Sequence, residues 1–309
     1  MSNPEESKLR WNQYSLRSLF VVTTLFAIAC SWYANEMRKE AIEIRKDEIR
    51  RPVIAELRKL GGEVSYRRDP EIVLFWDAPN IADAQLEKMK CLTNVRMLAL
   101  SNTKVTDAGL VHLESLPHLR WLLLENTQIT DDGLAHLRGL RKLDHLHLGK
   151  TQITDDGMVH LKDHANLQFL CLSGTQITDA GLVHLKSLTN LESLYLRRTR
   201  ITDAGLVHLK SLPNLKDIYL RNTGVTDKGV VHLKDFGKLR WLELACTQIT
   251  DGAVLTLKGL TTLTVLDLAD TQITYGAARE LKQALPRCST THSASTQPSP
   301  YTNPGVNWD

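Results

Sequence analysis

The amino-acid sequence predicts an α/β fold, a right-handed solenoid in which parallel strands line a concave side and short helices a convex side. The first observation is a period of 24 residues, marked by a Thr-Asp pair in seven successive repeats. The pairs are Thr106-Asp107, Thr130-Asp131, Thr154-Asp155, Thr178-Asp179, Thr202-Asp203, Thr226-Asp227 and Thr250-Asp251. The second observation is that leucine recurs at fixed positions of the period. Both are typical of stacked coils that share one continuous core.

Each part of a repeat has a predicted structural role. Thr130 is predicted to cap a short helix, and Asp131 in the first turn complements the helix dipole. Leu146 and Leu148 alternate inward on a short strand. Thr151 follows that strand, and its hydroxyl is predicted to satisfy loop backbone groups from coil to coil.

The repeat resembles that of the leucine-rich repeat family over residues 81–285. The unit beginning Thr130-Asp131-Asp132-Gly133-Leu134 is similar to GALA-type bacterial repeats and to the repeats of F-box proteins. The resemblance implies a horseshoe-shaped, non-enzymatic domain that binds a protein or peptide through its concave face. An F-box-like adaptor is an alternative, although residues 1–80 carry no F-box pattern.

Residues 18–35 are predicted to form one transmembrane helix that anchors the protein. No charged side chain occurs in this segment. Its length of roughly 27 Å approaches the hydrocarbon thickness of about 30 Å. Trp32 and Tyr33 at one end and Arg17 at the other suit the bilayer interface. A single-pass membrane protein follows, with residues 1–17 as a short tail. The alternative is a signal that is cleaved or lipidated at Cys30.

The basic residues around this segment favour a cytoplasmic repeat domain. The residues that precede it are Lys8, Arg10 and Arg17, and those that follow it are Arg38, Lys39, Arg45, Lys46, Arg50 and Arg51. Because positive charge favours the inner side, the larger group is predicted to stay inside. Unpaired cysteines agree with a reducing compartment.

Three further segments flank the anchor and the repeats. Residues 36–51 are densely charged and predict a juxtamembrane helix. Residues 52–80 predict a short amphipathic helix followed by a hairpin, which together form an N-terminal cap on the first coil. Residues 286–309 are rich in Ser, Thr, Pro and Asn and predict a disordered tail.

Composition and motifs exclude most other function classes. The net charge of +3 indicates no nucleic-acid partner. The sequence contains no metalloprotease, phosphate-loop, nucleophile-elbow or dinucleotide motif, so we expect no catalytic residues and no cofactor. Histidines that recur once per repeat on the helices, such as His184, are explained by the repeat itself.

One constellation leaves a metal site open as an alternative. His145 and His147 are predicted to lie on the same side of one strand, and Cys171 holds the position of His147 in the next coil. Two imidazoles and a thiolate could bind zinc and leave one coordination position open. The other reading is that they are surface residues of a binding face.

The residues beside the strand leucines are predicted to face the concave surface, where a protein or peptide would bind. Tyr195 and Tyr219 are expected to be lateral neighbours, with Arg197 and Arg221 one strand step further along. Such aromatic and planar cationic groups are typical of interface hot spots. The remaining alternative is a structural spacer that binds nothing. The candidate binding residues are Trp121, His145, His147, Phe169, Tyr195, Arg197, Tyr219, Arg221 and Trp241.

Overall fold

A computed structural model describes residues 31–39, 48–65, 71–74, 78 and 80–292. The chain forms two compact units, Met1–Ile54 and Ala55–Asp309. In the first unit, residues 31–39 and 48–54 are helical. The second unit contains the repeats. Outside the described residues lie the predicted tail 1–17, residues 18–30 of the predicted anchor, residues 40–47 of the charged helix and residues 293–309.

The described strands form one eleven-stranded sheet in chain order. β1 and β2 form an antiparallel hairpin, and every later pair is parallel. The strands are β1 Glu63–Ser65, β2 Glu71–Leu74, β3 Val95–Ala99, β4 Trp121–Leu123, β5 His145–His147, β6 Phe169–Cys171, β7 Ser193–Tyr195, β8 Asp217–Tyr219, β9 Trp241–Glu243, β10 Val265–Asp267 and β11 Ser289–Thr291.

Short helices alternate with these strands. Their length follows from the period, since 24 residues must hold a strand, a helix and two turns. A helix over residues 48–59 precedes β1. The α-helices between and after the parallel strands are Asp83–Lys88, Asp107–Leu110, Asp131–Leu137, Asp179–Leu182, Asp203–Leu206, Asp227–Val230, Val254–Lys258 and Tyr275–Ala284. The 3₁₀ helices are Met89–Cys91, Val111–Ser115, Asp155–Leu161, Val183–Ser187, Val207–Ser211, Val231–Leu233 and Asp251–Ala253.

The core consists of the repeated leucines, as the period predicts. Leu122, Leu146, Leu170 and Leu194 pair in adjacent strands and are fully buried. Equivalent helix leucines such as Leu137 are also fully buried. Each coil therefore covers the apolar face of the next, which is how a solenoid obtains a core without any single repeat having one.

The turn after each strand from β3 to β10 reverses the chain through one residue with positive φ. This residue is Asn126 after β4 and Lys150 after β5, with φ of 52° and 55°. The following threonine is buried, and Thr127 Oγ1 donates to the carbonyl of Leu124 at 2.6 Å. Thr151 does the same with Leu148. The threonine hydroxyl thus closes its own turn, whereas the sequence predicted bonds between coils.

The aspartates of the Thr-Asp pairs join one repeat to the next. Asp131 Oδ1 accepts a hydrogen bond from the backbone N–H of Thr154 at 2.8 Å, and Asp131 Oδ2 accepts from Thr154 Oγ1 at 2.6 Å. The same pair of bonds links Asp107 to Thr130 and Asp155 to Thr178. Each carboxylate therefore has partners in the next coil, beyond the dipole role that the sequence predicts.

Both ends of the repeat stack carry additional strands. The β1–β2 hairpin is joined to the stack through β2, which pairs with β3. At the other end, β11 pairs with β10 through the register Val265↔Ser289 to Asp267↔Thr291. This strand falls inside the stretch 286–309, for which the sequence predicts disorder.

The predicted transmembrane helix over 18–35 is wrong, and so is the single-pass membrane localisation that depends on it. Among the described residues, no helix combines the length and the apolar character that crossing a bilayer requires. A spanning helix needs about 20 predominantly apolar residues. The described helix at 31–39 is much shorter and contains Glu36, Arg38 and Lys39.

Candidate binding surface on the parallel sheet

Six aromatic side chains form a continuous row on the face of the sheet that is turned away from the buried leucines. We call this row the aromatic strip. Each of the six strands from β4 to β9 contributes one ring to it. The aromatic strip consists of Trp121, His145, Phe169, Tyr195, Tyr219 and Trp241.

Adjacent rings of the strip are in contact. The centroids of Trp121 and His145 lie 3.8 Å apart, and those of Tyr195 and Tyr219 lie 3.9 Å apart, both in stacked arrangements. The predicted lateral contact of the two tyrosines is therefore present. Phe169 links the two halves, because its ring lies 4.7 Å from Tyr195.

The strip changes row along the sheet. Phe169 aligns with Ser193 in the β6–β7 register, yet its ring contacts Tyr195, two residues further along β7. Tyr219 contacts Trp241 diagonally in the same way, with centroids 5.7 Å apart. These diagonal contacts bypass Ser193 and Asp217, which bond to each other instead (Ser193 Oγ to Asp217 Oδ2, 2.6 Å).

The rings differ in how much of their surface is exposed to a ligand. Trp121 is 39% exposed, and His145, Phe169, Tyr195 and Trp241 are half-buried. Tyr219 is only 8% exposed. Strands about 4.8 Å apart bring neighbouring rings to stacking distance, so each ring covers part of the next.

His145 is held in place by a carboxylate that faces it from the same strand end. Its Nδ1 lies 2.7 Å from Oδ1 of Asp144, which is itself buried. Arg120 Nε donates to Asp144 Oδ2 at 2.5 Å. Burial lowers the pKa of His145, and the hydrogen bond to Asp144 opposes this shift. The ring beside Trp121 is thus positioned by an Arg–Asp pair.

Arg197 is fixed over the tyrosine end of the strip. Its Nε donates to Glu243 Oε2 at 2.6 Å, and the guanidinium carbon lies 5.0 Å from the Tyr219 centroid. Glu243 is buried, and burial raises its pKa although Arg197 works in the opposite direction. Arg221 lies half-buried in the turn after β8, where its charge also acts on Glu243. Arg197 therefore already has a carboxylate partner before any ligand binds.

Both tyrosine hydroxyls are protonated at neutral pH, and burial moves the pKa of each further above its ordinary value of 10. It raises the pKa of Tyr195 to about 12 and raises that of Tyr219 further. Neither phenol can act as a base under these conditions. Both remain polar groups at the edge of an apolar surface, which suits recognition.

Two of the three residues of the zinc alternative, His147 and Cys171, are buried beside the carboxylate of Glu125, whereas His145 is half-buried and bonds to Asp144. Glu125 Oε1 lies 3.6 Å from Cys171 Sγ and 3.8 Å from His147 Nδ1, and the His147 ring stacks on Phe169. Burial raises the pKa of the Cys171 thiol to about 12, which disfavours the thiolate that a metal requires. In the described part of the chain, no three His, Cys, Asp or Glu side chains are arranged to hold a metal ion.

Two acidic residues of this surface were missed by the sequence analysis. They are Asp144 and Glu125, which are not among the candidate residues named from the sequence. The repeat period could have predicted the Arg120–Asp144 contact. These residues lie one repeat apart, so they precede adjacent strands at the same position. Opposite charges at that spacing predict a lateral ion pair.

The comparisons with known proteins agree with this architecture. Family models described as leucine-rich repeats match residues 165–204 and 189–228 in a two-copy form, and residues 139–161 and 259–281 as single repeats. Both matching models describe repeats, and neither describes a catalytic family. No curated protein sequence matches the chain.

Solved structures are similar over the repeat region. Internalin C2 of Listeria monocytogenes is 27% identical with a TM-score of 0.52, and the match covers 69% of this chain and 84% of that protein. A leucine-rich repeat protein of Leptospira interrogans is 18% identical with a TM-score of 0.47, covering 66% of this chain and 62% of that one. The parts of the chain that the family models match are leucine-rich repeats.

Proposed function

We propose that this protein is a non-catalytic interaction module that binds a protein or peptide through the aromatic strip. The observation that carries the proposal is the unbroken contact of six rings across six strands, with Trp121 exposed at one end. Rigid aromatic groups lose little conformational entropy on binding and are enriched at interface hot spots.

The arrangement of charge favours a binding role over a spacer role. A spacer needs only the buried leucines, whereas Asp144 and Glu243 position His145 and Arg197 on the outward face. Groups fixed before binding reduce the free-energy cost of forming a complex.

Two structural proposals accompany this function. The repeated Thr-Asp pattern leads us to propose that the repeats are of the GALA type. The β1–β2 hairpin, which pairs with β3, supports a capping role for residues 52–80.

The exposure of the rings decides which residue of the strip should be substituted to test binding. Tyr219 is buried between Tyr195 and Trp241, so its loss would also affect stability. Trp121 is the better choice because it is exposed and terminates the strip. We expect Trp121→Ala to weaken binding by about 2 kcal/mol or more, as at a true hot spot.

The experiment uses a displayed library of random dodecapeptides selected on the full-length protein. Enriched peptides are then titrated calorimetrically against wild type, Trp121→Ala and a helix-side control, His184→Ala with His208→Ala. The proposal requires the tryptophan variant to lose binding and the control to retain it, with equal melting temperatures. Retention of every selected peptide by Trp121→Ala would contradict binding on the strip.

A further inference from the structure

A second surface lies beside the strip, where the chain enters strands β3 to β6. It is a groove of about 380 Å³, lined by residues that include Arg96, His118, Arg120, Lys142, Asp144 and Gln168. Arg96, Arg120, Asp144 and Gln168 follow one another in adjacent coils. The N–H of each of the last three donates to the carbonyl of the residue one repeat before it at 2.8–2.9 Å. The groove therefore runs across the strands, parallel to the strip.

The charge of the groove is positive. Arg120 is bonded to the buried Asp144. Lys142 Nζ lies 3.0 Å from His118 Nδ1, within hydrogen-bond distance. Arg96 and Lys142 are exposed. Asp144 is the only acidic residue among the residues that line the groove, so two positive charges are left over beyond the Arg120–Asp144 pair.

We propose that this groove binds an acidic peptide segment. Carboxylate side chains would lie against Arg96 and Lys142 and accept charge-assisted hydrogen bonds from them. Such bonds are stronger than those between neutral groups. Side-chain amides such as that of Gln168 both donate and accept, which matches the peptide backbone. An excess of only two cations in the groove and a net charge of +3 on the chain favour a short acidic peptide over a nucleic acid, which is bound through many phosphate contacts.

This inference goes beyond the proposed function, because the groove uses no ring of the aromatic strip. It also concerns a different class of contact. The strip offers apolar area, whereas the groove offers charge, so binding to the groove is expected to depend strongly on salt.

The test measures fluorescence anisotropy of fluorescein-labelled hexaglutamate with the full-length protein at low ionic strength. The variant Arg96→Gln with Lys142→Gln removes the two exposed cations, and we expect it to weaken binding about tenfold. The matched control, Lys186→Gln with Lys210→Gln, makes the same change in net charge on exposed helix positions and should bind like wild type. Equal melting temperatures exclude misfolding as the cause.

Three outcomes would overturn the proposal. The first is equal weakening by both double variants, which would show a response to net charge alone. The second is equal binding of labelled hexaglutamine, which carries no carboxylates. The third is tighter binding of a labelled hexathymidylate, which would assign the groove to nucleic acid. Because Trp121→Ala leaves the groove intact, its effect on dodecapeptide binding tests the strip separately.

Discussion

The carboxylate of Asp131 lies where a Cβ atom of Gly157 would be. A Cβ placed on Gly157 would come within 3 Å of Asp131 Oδ1, closer than real Cβ contacts allow. The same relationship joins Asp107 to Gly133 and Asp155 to Gly181. In six repeats a glycine thus leaves room for the aspartate of the preceding repeat. Ala253 and Ala277 hold the equivalent position at the end of the stack, where Asp227 and Asp251 still bond to Thr250 and Thr274.

Gly157→Ala is expected to lower the free energy of unfolding by about 1–3 kcal/mol, because the new methyl group displaces the Asp131 carboxylate from Thr154. Urea unfolding monitored by circular dichroism measures the change. The matched control is Gly139→Ala, where no atom lies within 4 Å of the added Cβ. That variant should be unchanged or slightly more stable. Equal effects of the two substitutions would show that the close approach of Asp131 is unimportant.

Asp131→Ala removes both acceptors of Thr154 and should cost about 2 kcal/mol, since it leaves a backbone N–H without its partner. Thermal unfolding and amide hydrogen exchange at Thr154 would report the loss. The neighbouring Asp132 is exposed, so Asp132→Ala should change stability by no more than about 0.5 kcal/mol. A similar loss in both variants would indicate that the helix dipole, and not the link between coils, is the main role of Asp131.

His164 is a histidine at a core position. It is fully buried at the repeat position that Leu140 and Leu188 hold in the neighbouring coils. Burial lowers the pKa of His164 from its ordinary value of 6.5. The folded state therefore binds fewer protons at this site than the unfolded state, and its contribution to stability is lost as the pH falls below 6.5.

His164→Leu should raise the free energy of unfolding by about 1 kcal/mol at pH 7, because an imidazole is replaced by an apolar side chain in an apolar site. The advantage of the variant over wild type should widen between pH 6.5 and pH 5. Urea unfolding at several pH values measures it. If the free energy of unfolding of the two proteins varied with pH in parallel, a lowered pKa of His164 would be contradicted.

Glu243 should produce a pH dependence of the opposite sign. Burial raises its pKa above the ordinary 4.5, so the folded state retains a proton that the unfolded state releases. The stability of wild type relative to Glu243→Gln should be greatest at pH values below 4.5 and should decline as the pH rises through the folded-state pKa. The measurement is the free energy of unfolding of both proteins from pH 4 to pH 7. A relative stability that increases with pH would show that Arg197 outweighs burial.

Some features of the surface followed from the sequence and others did not. The contact of Tyr195 with Tyr219 follows from residues one period apart on parallel strands. The burial of Tyr219 and His147 does not follow, because it depends on which neighbouring rings cover them. Arg197 was expected to face a ligand, yet its nearest carboxylate is Glu243, 46 residues away and two strands across.

The sequence by itself determined the solenoid, its leucine core and the lateral register of the strands, since a fixed period places the same position of each repeat on adjacent rungs. Only the tertiary structure decided that Asp131 bonds to the next coil, that the aromatic strip crosses from Phe169 to Tyr195, and that Asp144 holds His145. The physical reason is that periodicity specifies which backbones are neighbours. The length and rotamer of each side chain then decide which of several neighbours within reach it contacts.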